Sequence, residues 1–163
     1  MIRIGIFSDS HGDRKSLAGL LDSMGNLDAV CFLGDIAEDA VWLKKTLSGR
    51  SKPVEYWAVR GNNDLGSPLP DELLVSIGGK NIFLTHGHLY RVRWGTDILV
   101  ARAKECGADI ALYGHTHESY CAWEKGILVL NPGAAGRPWG SQRARAMVLL
   151  IDGDKLRIED AVI

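Results

Sequence analysis

The side chains in this sequence that could do chemistry are gathered at five places. All five histidines lie in three short clusters, at residues 9–11, 85–88 and 114–117, and each cluster follows an apolar run. Two more apolar runs end in carboxylate and amide residues, at 34–35 and 61–64. Asp, Asn and His side chains are typical ligands of divalent metals, and two such ions close together commonly displace a group at phosphorus. The sequence therefore predicts a two-metal centre.

Each cluster also has an ordinary structural explanation when it is taken alone. An Asp after a strand often caps a turn or a helix N terminus, and Asn62 and Asp64 are common turn residues. The ring nitrogens of His115 and His117 could simply find backbone partners. However, the five clusters follow five strand-like runs, and no histidine lies elsewhere in the chain. Their joint occurrence favours a metal centre.

Length and composition indicate an ordinary globular chain. With 163 residues, 46% hydrophobic and 24% charged, it is expected to form one domain over residues 1–163. The net charge of −1 disfavours binding in a nucleic-acid groove, which usually needs a strongly basic surface. No apolar stretch approaches the ~18 residues of a membrane span, and the sequence becomes acidic at Asp9 before a signal-peptide core is complete. We therefore expect a cytoplasmic protein with no membrane association. The three cysteines are widely spaced and are expected to be free thiols.

The hydrophobic pattern predicts where strands and helices alternate. Helical stripes at 17–24 and 40–47 separate apolar runs, which is typical of parallel strands covered by helices. After residue 65 the pattern changes to a hairpin around Gly78-Gly79, a helix at 98–106 and a strand-rich tail. We therefore expect two β layers with flanking helices. The predicted strands are 2–7, 29–33, 54–59, 73–77, 82–85, 109–113, 119–123, 127–130, 146–151 and 156–162.

This arrangement predicts that the polar clusters meet in space. The carboxyl ends of parallel strands lie at one edge of a sheet, where α/β proteins bind their ligands. Asp9 and His11 are two residues apart on a loop and can bind one ion together, and His115 and His117 have the same spacing. The motifs are far apart in sequence but are expected to converge at this edge.

Six short motifs give the sequence a family resemblance. SDSH, LGD, RGNND, LTHGH, YGHTH and NPG occur in this order between residue 4 and about residue 138. In this order they resemble the calcineurin-like metallophosphoesterases, and more closely the small bacterial and archaeal phosphodiesterase branch that lacks a cap domain. The resemblance implies an α/β fold, an α/β/β/α sandwich of two mixed β-sheets flanked by helices, with a dinuclear metal site at one edge of the sheets.

The resemblance also implies the ligands of that site. One ion would be held by Asp9, His11, Asp35 and His117. The other would be held by Asp35, Asn62, His86 and His115. Asp35 would therefore bridge two divalent ions, for which manganese is the expected metal and nickel, cobalt, zinc and iron are alternatives. Two such ions lower the pKa of a shared water, so that hydroxide attacks phosphorus and no side-chain nucleophile is needed.

The chain departs from the family pattern directly after Asn62. Many members have a histidine there that protonates the leaving oxygen, whereas this chain has Asn63, whose amide cannot act as an acid. Small phosphodiesterases of the branch also lack that histidine, which favours diesters with good leaving groups. His88 is the remaining candidate proton donor, and a hydrogen-bonding role in its loop is the alternative. Asn63 and His88 are thus the predicted catalytic residues. A second departure is Ala134, where the family frequently has a serine.

Arginines beside the motifs are candidates for phosphate binding, because a guanidinium donates paired hydrogen bonds to phosphoryl oxygens. Alternatively, all of these arginines could be ordinary surface residues that contact only solvent. We predict Arg60 and Arg137 as the substrate-binding pair. Trp94 and Trp139 could stack on the substrate at its entrance or serve in packing. The four candidate arginines are Arg60, Arg91, Arg93 and Arg137.

The predicted function is a metal-dependent phosphodiesterase acting on a small phosphodiester. Within enzymes of the same fold, the alternatives are a nucleotide-polyphosphate hydrolase, a phosphomonoesterase and a protein phosphatase. The alternative of another class is a protein-binding scaffold like the eukaryotic retromer subunit, which residues 93–97 resemble. That subunit has lost ligand histidines, whereas His11 and the other ligand positions are intact here. A homodimer and a homotetramer are both compatible with the sequence.

Overall fold

The computed structural model describes residues 1–136 and 143–163. The strands in these ranges are β1 Ile2–Phe7, β2 Ala29–Phe32, β3 Glu55–Ala58, β4 Glu72–Ile77, β5 Lys80–Thr85, β6 Ile110–Leu112, β7 Ser119–Glu124, β8 Ile127–Pro132, β9 Arg145–Asp152 and β10 Lys155–Val162. The α-helices are α1 Arg14–Ser23, α2 Ala37–Ser48 and α3 Asp97–Glu105. Two short 3-10 turns follow β5, at His88–Tyr90 and Val92–Trp94.

The strands form two mixed sheets of five strands each. The first sheet has the order β10-β9-β1-β2-β3, in which β1, β2 and β3 are parallel while β9 and β10 run antiparallel to their neighbours. The second sheet has the order β4-β5-β6-β8-β7, in which β5, β6 and β8 are parallel and the two outer strands are antiparallel. Each sheet therefore has a parallel centre.

Three apolar layers hold these elements together. The middle layer lies between the sheets and joins Ile4 and Leu149 of the first sheet to Leu84 and Leu112 of the second. One outer layer packs α1 and α2 on the first sheet, and the other packs α3 on the second sheet. The predicted α/β/β/α sandwich is therefore confirmed. Among the described residues, no helix has the length and apolar character needed to cross a membrane.

Local sequence explains where the elements around the site begin and end. The last four residues of β1 and all four of β2 are buried, as expected for strands covered on both faces. Helix α1 begins at Arg14 because the side chain of Asp13 accepts a hydrogen bond from Ser16 N. After α3, Gly107 takes a φ of 72°, which is typical of the glycine that follows a helix C terminus.

The predicted strands and helices lie close to the observed ones. Helix α2 begins at Ala37, earlier than the stripe at 40–47 indicates, because its first turn holds the acidic residues Glu38 and Asp39, which an apolar stripe does not detect. The two 3-10 turns at His88–Tyr90 and Val92–Trp94 were not predicted, since a three-residue turn has no periodic pattern to detect.

The inter-sheet layer can be tested by truncation. Leu84→Ala should lower the free energy of unfolding by ~2–5 kcal/mol, because Leu84 is fully buried between the sheets and its loss leaves a cavity. Leu74→Ala is the matched control: Leu74 lies on the adjacent β4 and is 45% exposed, so its loss should cost less than ~1 kcal/mol. Urea unfolding followed by circular dichroism measures both. Equal losses would contradict this packing.

Candidate metal centre

The five polar clusters of the sequence meet where the parallel strands of both sheets end. The loop after β1 contacts the loop after β2, because Asp9 N donates to Gly34 O at 2.9 Å. The loop after β6 contacts the loop after β5, because Gly114 N donates to His86 O at 3.0 Å. The two sheets are joined at this edge by His115 N, which donates to Asp9 Oδ2 at 2.9 Å. The predicted convergence is therefore observed.

One group of potential metal ligands consists of Asp9, His11 and His117. Asp9 Oδ1 lies 3.7 Å from His11 Nε2 and 3.2 Å from His117 Nε2. The two histidine nitrogens are themselves 3.1 Å apart. Three nitrogen and oxygen atoms that face one another at these distances have the composition and closeness of a divalent-metal site.

A second group consists of Asp9, Asp35 and His86, all of them buried. His86 Nε2 lies 3.8 Å from Asp9 Oδ1, 3.6 Å from Asp35 Oδ2 and 3.1 Å from Asn62 Oδ1. The other ring nitrogen of His86 is 2.7 Å from Leu33 O, and a carbonyl can only accept, so Nδ1 carries a proton. This contact fixes the ring so that Nε2 faces three oxygens, which is the orientation of a metal-ligating histidine.

The Asp9 carboxylate provides the strongest sign that these residues fit a cation. Its Oδ2 accepts hydrogen bonds from Ser8 Oγ at 2.6 Å and from His115 N. Its Oδ1 is buried and accepts no well-aligned hydrogen bond from the described residues. Burial would raise the pKa of Asp9, but the adjacent His11 and His117 rings outweigh burial and hold the pKa below its usual range. An ionised oxygen without a donor suits a metal ion.

The carboxylate that is common to both ligand groups differs between the structure and the family resemblance. In the structure Asp9 belongs to both groups, whereas Asp35 belongs only to the group around His86. The resemblance makes Asp35 the bridge. Asp35 is held by Asn63, whose backbone N and Nδ2 donate to Oδ1 at 3.1 Å and to Oδ2 at 2.7 Å. The bridging role of Asp35 therefore remains a prediction.

His115 lies beside the second group but is not part of it. Its ring centroid is 5.1 Å from that of His86, and its Nε2 accepts a hydrogen bond from Arg93 Nε at 3.0 Å. Burial, together with the nearby His86 and Arg93, lowers the pKa of His115 to about 4. The ring is therefore neutral near pH 7, the state in which an imidazole can bind a metal.

The backbone at the clusters is strained. Non-glycine residues with positive φ are uncommon, and each such conformation costs about 1–3 kcal/mol unless its surroundings enforce it. Strain of this kind concentrates at functional sites. Five of the seven predicted ligands have φ between 47° and 68°: Asp9, His11, Asp35, His115 and His117.

Close packing and a buried acid hold these loops in place. A Cβ atom at Gly61 would overlap the Asp35 carboxylate, so this loop requires glycine. The carboxylate of Asp64 accepts hydrogen bonds from the backbone N of Asp35, Gly61 and Ala37 at 3.0, 2.7 and 2.7 Å. From the sequence, Asp64 is predicted only as a turn residue. Its position in the RGNND motif was the available signal.

The two predicted catalytic residues occupy different positions. Asn63 contacts the Asp35 carboxylate directly, as described above. His88 is half-buried, and its ring centroid lies 5.4 Å from that of His86. Its Nδ1 is buried and has no hydrogen-bond partner among the described residues. Burial and the nearby His86 lower the pKa of His88. His88 thus lies beside the two ligand groups without joining either.

The predicted substrate arginines find different surroundings. Arg60 forms a paired interaction with Asp71, with Nε–Oδ1 at 2.5 Å and Nη2–Oδ2 at 3.2 Å, so its fork is already engaged. Arg137 and Trp139 lie outside the described residues. Arg93, another of the four candidate arginines, contacts a predicted metal ligand. The sequence could not separate these arginines because all of them flank motifs.

Comparison with known families agrees with this geometry. Residues 2–154 match the calcineurin-like phosphoesterase superfamily domain. The chain therefore belongs to the calcineurin-like phosphoesterases, which are metal-dependent, and the family predicted from the motifs is confirmed.

Individual relatives include bacterial and archaeal proteins. A probable metallophosphoesterase of Bacillus subtilis is 30% identical over 151 residues, covering 91% of this chain and 84% of that protein. A phosphodiesterase of Methanocaldococcus jannaschii is 27% identical over 148 residues, covering 81% and 83%. The crystal structure of a predicted phosphoesterase of Streptococcus pneumoniae is 30% identical, with a TM-score of 0.76 and coverage of 98% and 88%. Vacuolar protein sorting-associated protein 29 of Schizosaccharomyces pombe is 31% identical over 114 residues, covering 68% and 57%.

Metal content tests the ligand assignment. We expect two divalent ions per chain in the wild type. Asp35→Ala should lose both ions because Asp35 is the implied bridge, whereas Asn62→Ala should weaken one site because Asn62 is a neutral ligand to one ion. His88→Ala is the control and should keep both ions, since His88 belongs to neither group. Elemental analysis of each purified variant gives the number of ions per chain.

Two outcomes would change the assignment. A His88→Ala protein that lost an ion would show that the wrong histidine of the LTHGH motif had been chosen. An Asp9→Ala protein that lost both ions, beside an Asp35→Ala protein that kept one, would place the bridge at Asp9, as the shared position of Oδ1 indicates.

Proposed function

We propose that the protein is a metal-dependent phosphodiesterase that hydrolyses small phosphodiesters. The observation that carries this proposal is the pair of carboxylate–histidine groups that share Asp9 at the edge of both sheets. Two divalent ions held there would act as Lewis acids toward a phosphoryl group and lower the pKa of water. Membership of the calcineurin-like phosphoesterases supports hydrolysis of phosphoesters. That diesters are preferred over monoesters is our proposal.

The ligand positions support catalysis rather than scaffolding alone. All seven positions implied by the motifs hold an Asp, Asn or His residue. A protein-binding module needs neither a buried carboxylate oxygen that lacks a donor among the described residues nor five strained residues at the same site. A protein-binding scaffold remains the alternative to an enzyme, because the chain is also similar to vacuolar protein sorting-associated protein 29 of Schizosaccharomyces pombe. A chain that bound no metal would favour it.

Arg93 is the described arginine best placed to orient a phosphoryl group. Its guanidinium reaches Nε2 of His115 at 3.0 Å and the His115 carbonyl at 3.5 Å. The side chain is otherwise exposed, so its remaining N–H groups are open to a ligand. A guanidinium pairs with two phosphoryl oxygens more favourably than an ammonium does, because its donors are parallel.

Asn63 supports the choice of diesters. Its amide is fixed on Asp35, where it can orient the carboxylate but has no acidic proton to give to a leaving oxygen. A leaving group that takes no proton from His88 must then depart as an anion, which favours groups of low pKa over the alkoxides of phosphoserine-type monoesters. Nucleotide-polyphosphate hydrolysis and monoester hydrolysis are the alternatives within the same fold.

The proposed function also includes the identity of the metal, the location of the protein and its oligomeric state. We propose manganese as the metal, with nickel, cobalt, zinc and iron as alternatives. A single domain over residues 1–163, a cytoplasmic location and a homodimer or homotetramer stay predictions. Assays of diesters and monoesters with Mn, Ni, Co, Zn and Mg test the activity and its metal requirement together.

Introducing a histidine as a general acid directly after Asn62 tests the role of Asn63. Asn63→His should raise turnover of esters with poor leaving groups about tenfold or more, because general acid catalysis typically contributes at least that much. Turnover of p-nitrophenyl diesters should change little, since p-nitrophenolate leaves without a proton. The ratio of the two rates, with metal content as control, is the measurement. No gain on poor leaving groups, or a wild type that already prefers them, would contradict the argument.

Arg93→Ala tests the phosphate contact. It should weaken the binding of inorganic phosphate to the metal-loaded protein by about tenfold, because a charge-assisted hydrogen bond is lost. Arg157→Ala on β10 is the matched control and should have no effect. Isothermal titration calorimetry gives both affinities. Unchanged phosphate affinity in Arg93→Ala would remove this residue from the proposed substrate site.

A further inference from the structure

A cavity opens beside the metal centre, between the first turns of α2 and the loop that follows Asn63. Its volume is about 360 Å³, within the range of small-molecule sites. Most of its wall is apolar. The residues that define it include Ala37, Val41, Asn63, Leu65, Pro68 and Leu69.

Two of its apolar side chains are unusually exposed. Leu65 is 93% exposed and Val41 is 69% exposed. Single exposed apolar residues are common, but two that line one cavity beside a polar centre are characteristic of a ligand site. The described residues supply no cover for either side chain. Covering them with an apolar ligand would remove both from water.

Two residues of the cavity wall also contact Asp35. Asn63 forms part of its wall, and Asn63 Nδ2 is 2.7 Å from Asp35 Oδ2. Asp64 also lines it, and the Asp64 carboxylate binds the backbone N of both Asp35 and Ala37. The cavity therefore lies one residue away from Asp35, close enough to receive an ester substituent of a phosphoryl group held there.

Charge at the cavity restricts which substituent fits. Its ionisable lining residues are Glu38 and Asp64, both acidic. A substituent with further phosphates would meet these carboxylates without a cation to balance it, whereas a neutral apolar group would not. A second cavity of about 330 Å³, on the side of His115, is lined instead by Arg93, Thr96 and Glu118 among others. The two sides of the centre thus differ in polarity.

We propose that the cavity between α2 and the Asn63 loop binds an apolar ester substituent, so that the substrates are phosphodiesters with at least one apolar group such as an aryl ring. This inference rests on the proposed function. A ring would pack between Val41 and Leu65, while the phosphoryl group lies at Asp35. Nucleotide polyphosphates are disfavoured by Glu38.

The experiment measures binding rather than turnover. The metal-loaded protein is titrated with inorganic phosphate, dimethyl phosphate and diphenyl phosphate by calorimetry. Diphenyl phosphate should bind roughly tenfold more tightly than dimethyl phosphate, because only the phenyl ring can bury apolar surface in the cavity. Methyl NMR of the same samples should show shifts at Val41, Leu65 and Leu69 with diphenyl phosphate alone.

Two variants distinguish ligand binding in the cavity from ligand binding at the metal centre. Val41→Asn and Leu65→Asn should reduce the tenfold preference to about twofold or less, with inorganic phosphate affinity and metal content unchanged. Both positions are exposed, so the fold should tolerate them. Ile98→Asn on α3 is the matched control, because Ile98 is 51% exposed and lies outside the cavity.

The outcomes distinguish this inference from the proposed function. If phosphate binds but the two diesters bind equally, or if the preference survives both variants, the cavity does not hold the ring. Methyl shifts at Val92 instead would place the ring in the cavity beside Arg93 and overturn the inference. If none of the three ligands binds the metal-loaded protein, the proposed function fails, and the inference about its substrate fails with it.

Discussion

The buried Asp9 carboxylate is the interaction on which the rest of the site depends. One of its oxygens is satisfied by Ser8 and by the backbone of His115. The other is buried, faces the Nε2 atoms of three histidines and has no well-aligned donor in the described part of the chain. A buried oxygen that accepts no hydrogen bond costs roughly 1–3 kcal/mol. A cation at this point would offset that cost, which couples metal binding to the stability of the loops around it.

Those loops adopt conformations that short peptides of the same sequence would rarely populate. The left-handed residues at the cluster, among them Asp9 and Asp35, are held because both sheets converge on them. Asp64 stabilises the arrangement with three backbone hydrogen bonds, one of which is to Asp35. The sandwich therefore supplies the free energy that keeps the ligands in place, and its packed inter-sheet layer limits their movement.

Much of this arrangement could be predicted from local pattern. The apolar runs of β1 and β2 identify buried strands, and the polar residues directly after them, such as Asp9 and Asp35, identify the edge where ligands converge. Contacts between loops, in contrast, leave no pattern in the sequence from which they could be predicted. The RGNND motif marks Asp64 but does not show that it binds the backbone of Asp35, and nothing local indicates that Arg93 rather than Arg60 contacts a ligand histidine. Long side chains choose partners only after the chain has folded.

The sequence alone indicated the residue types of the centre, the positions of the strands along the chain and the family, because ligand chemistry and hydrophobic periodicity are both local features of a sequence. Tertiary structure decided which atoms face one another. It placed Asp9 Oδ1 between the two ligand groups, paired Arg60 with Asp71 and opened an apolar cavity at Val41 and Leu65. These features depend on distances between loops remote in sequence, and such distances are set by how the two sheets and α2 pack together.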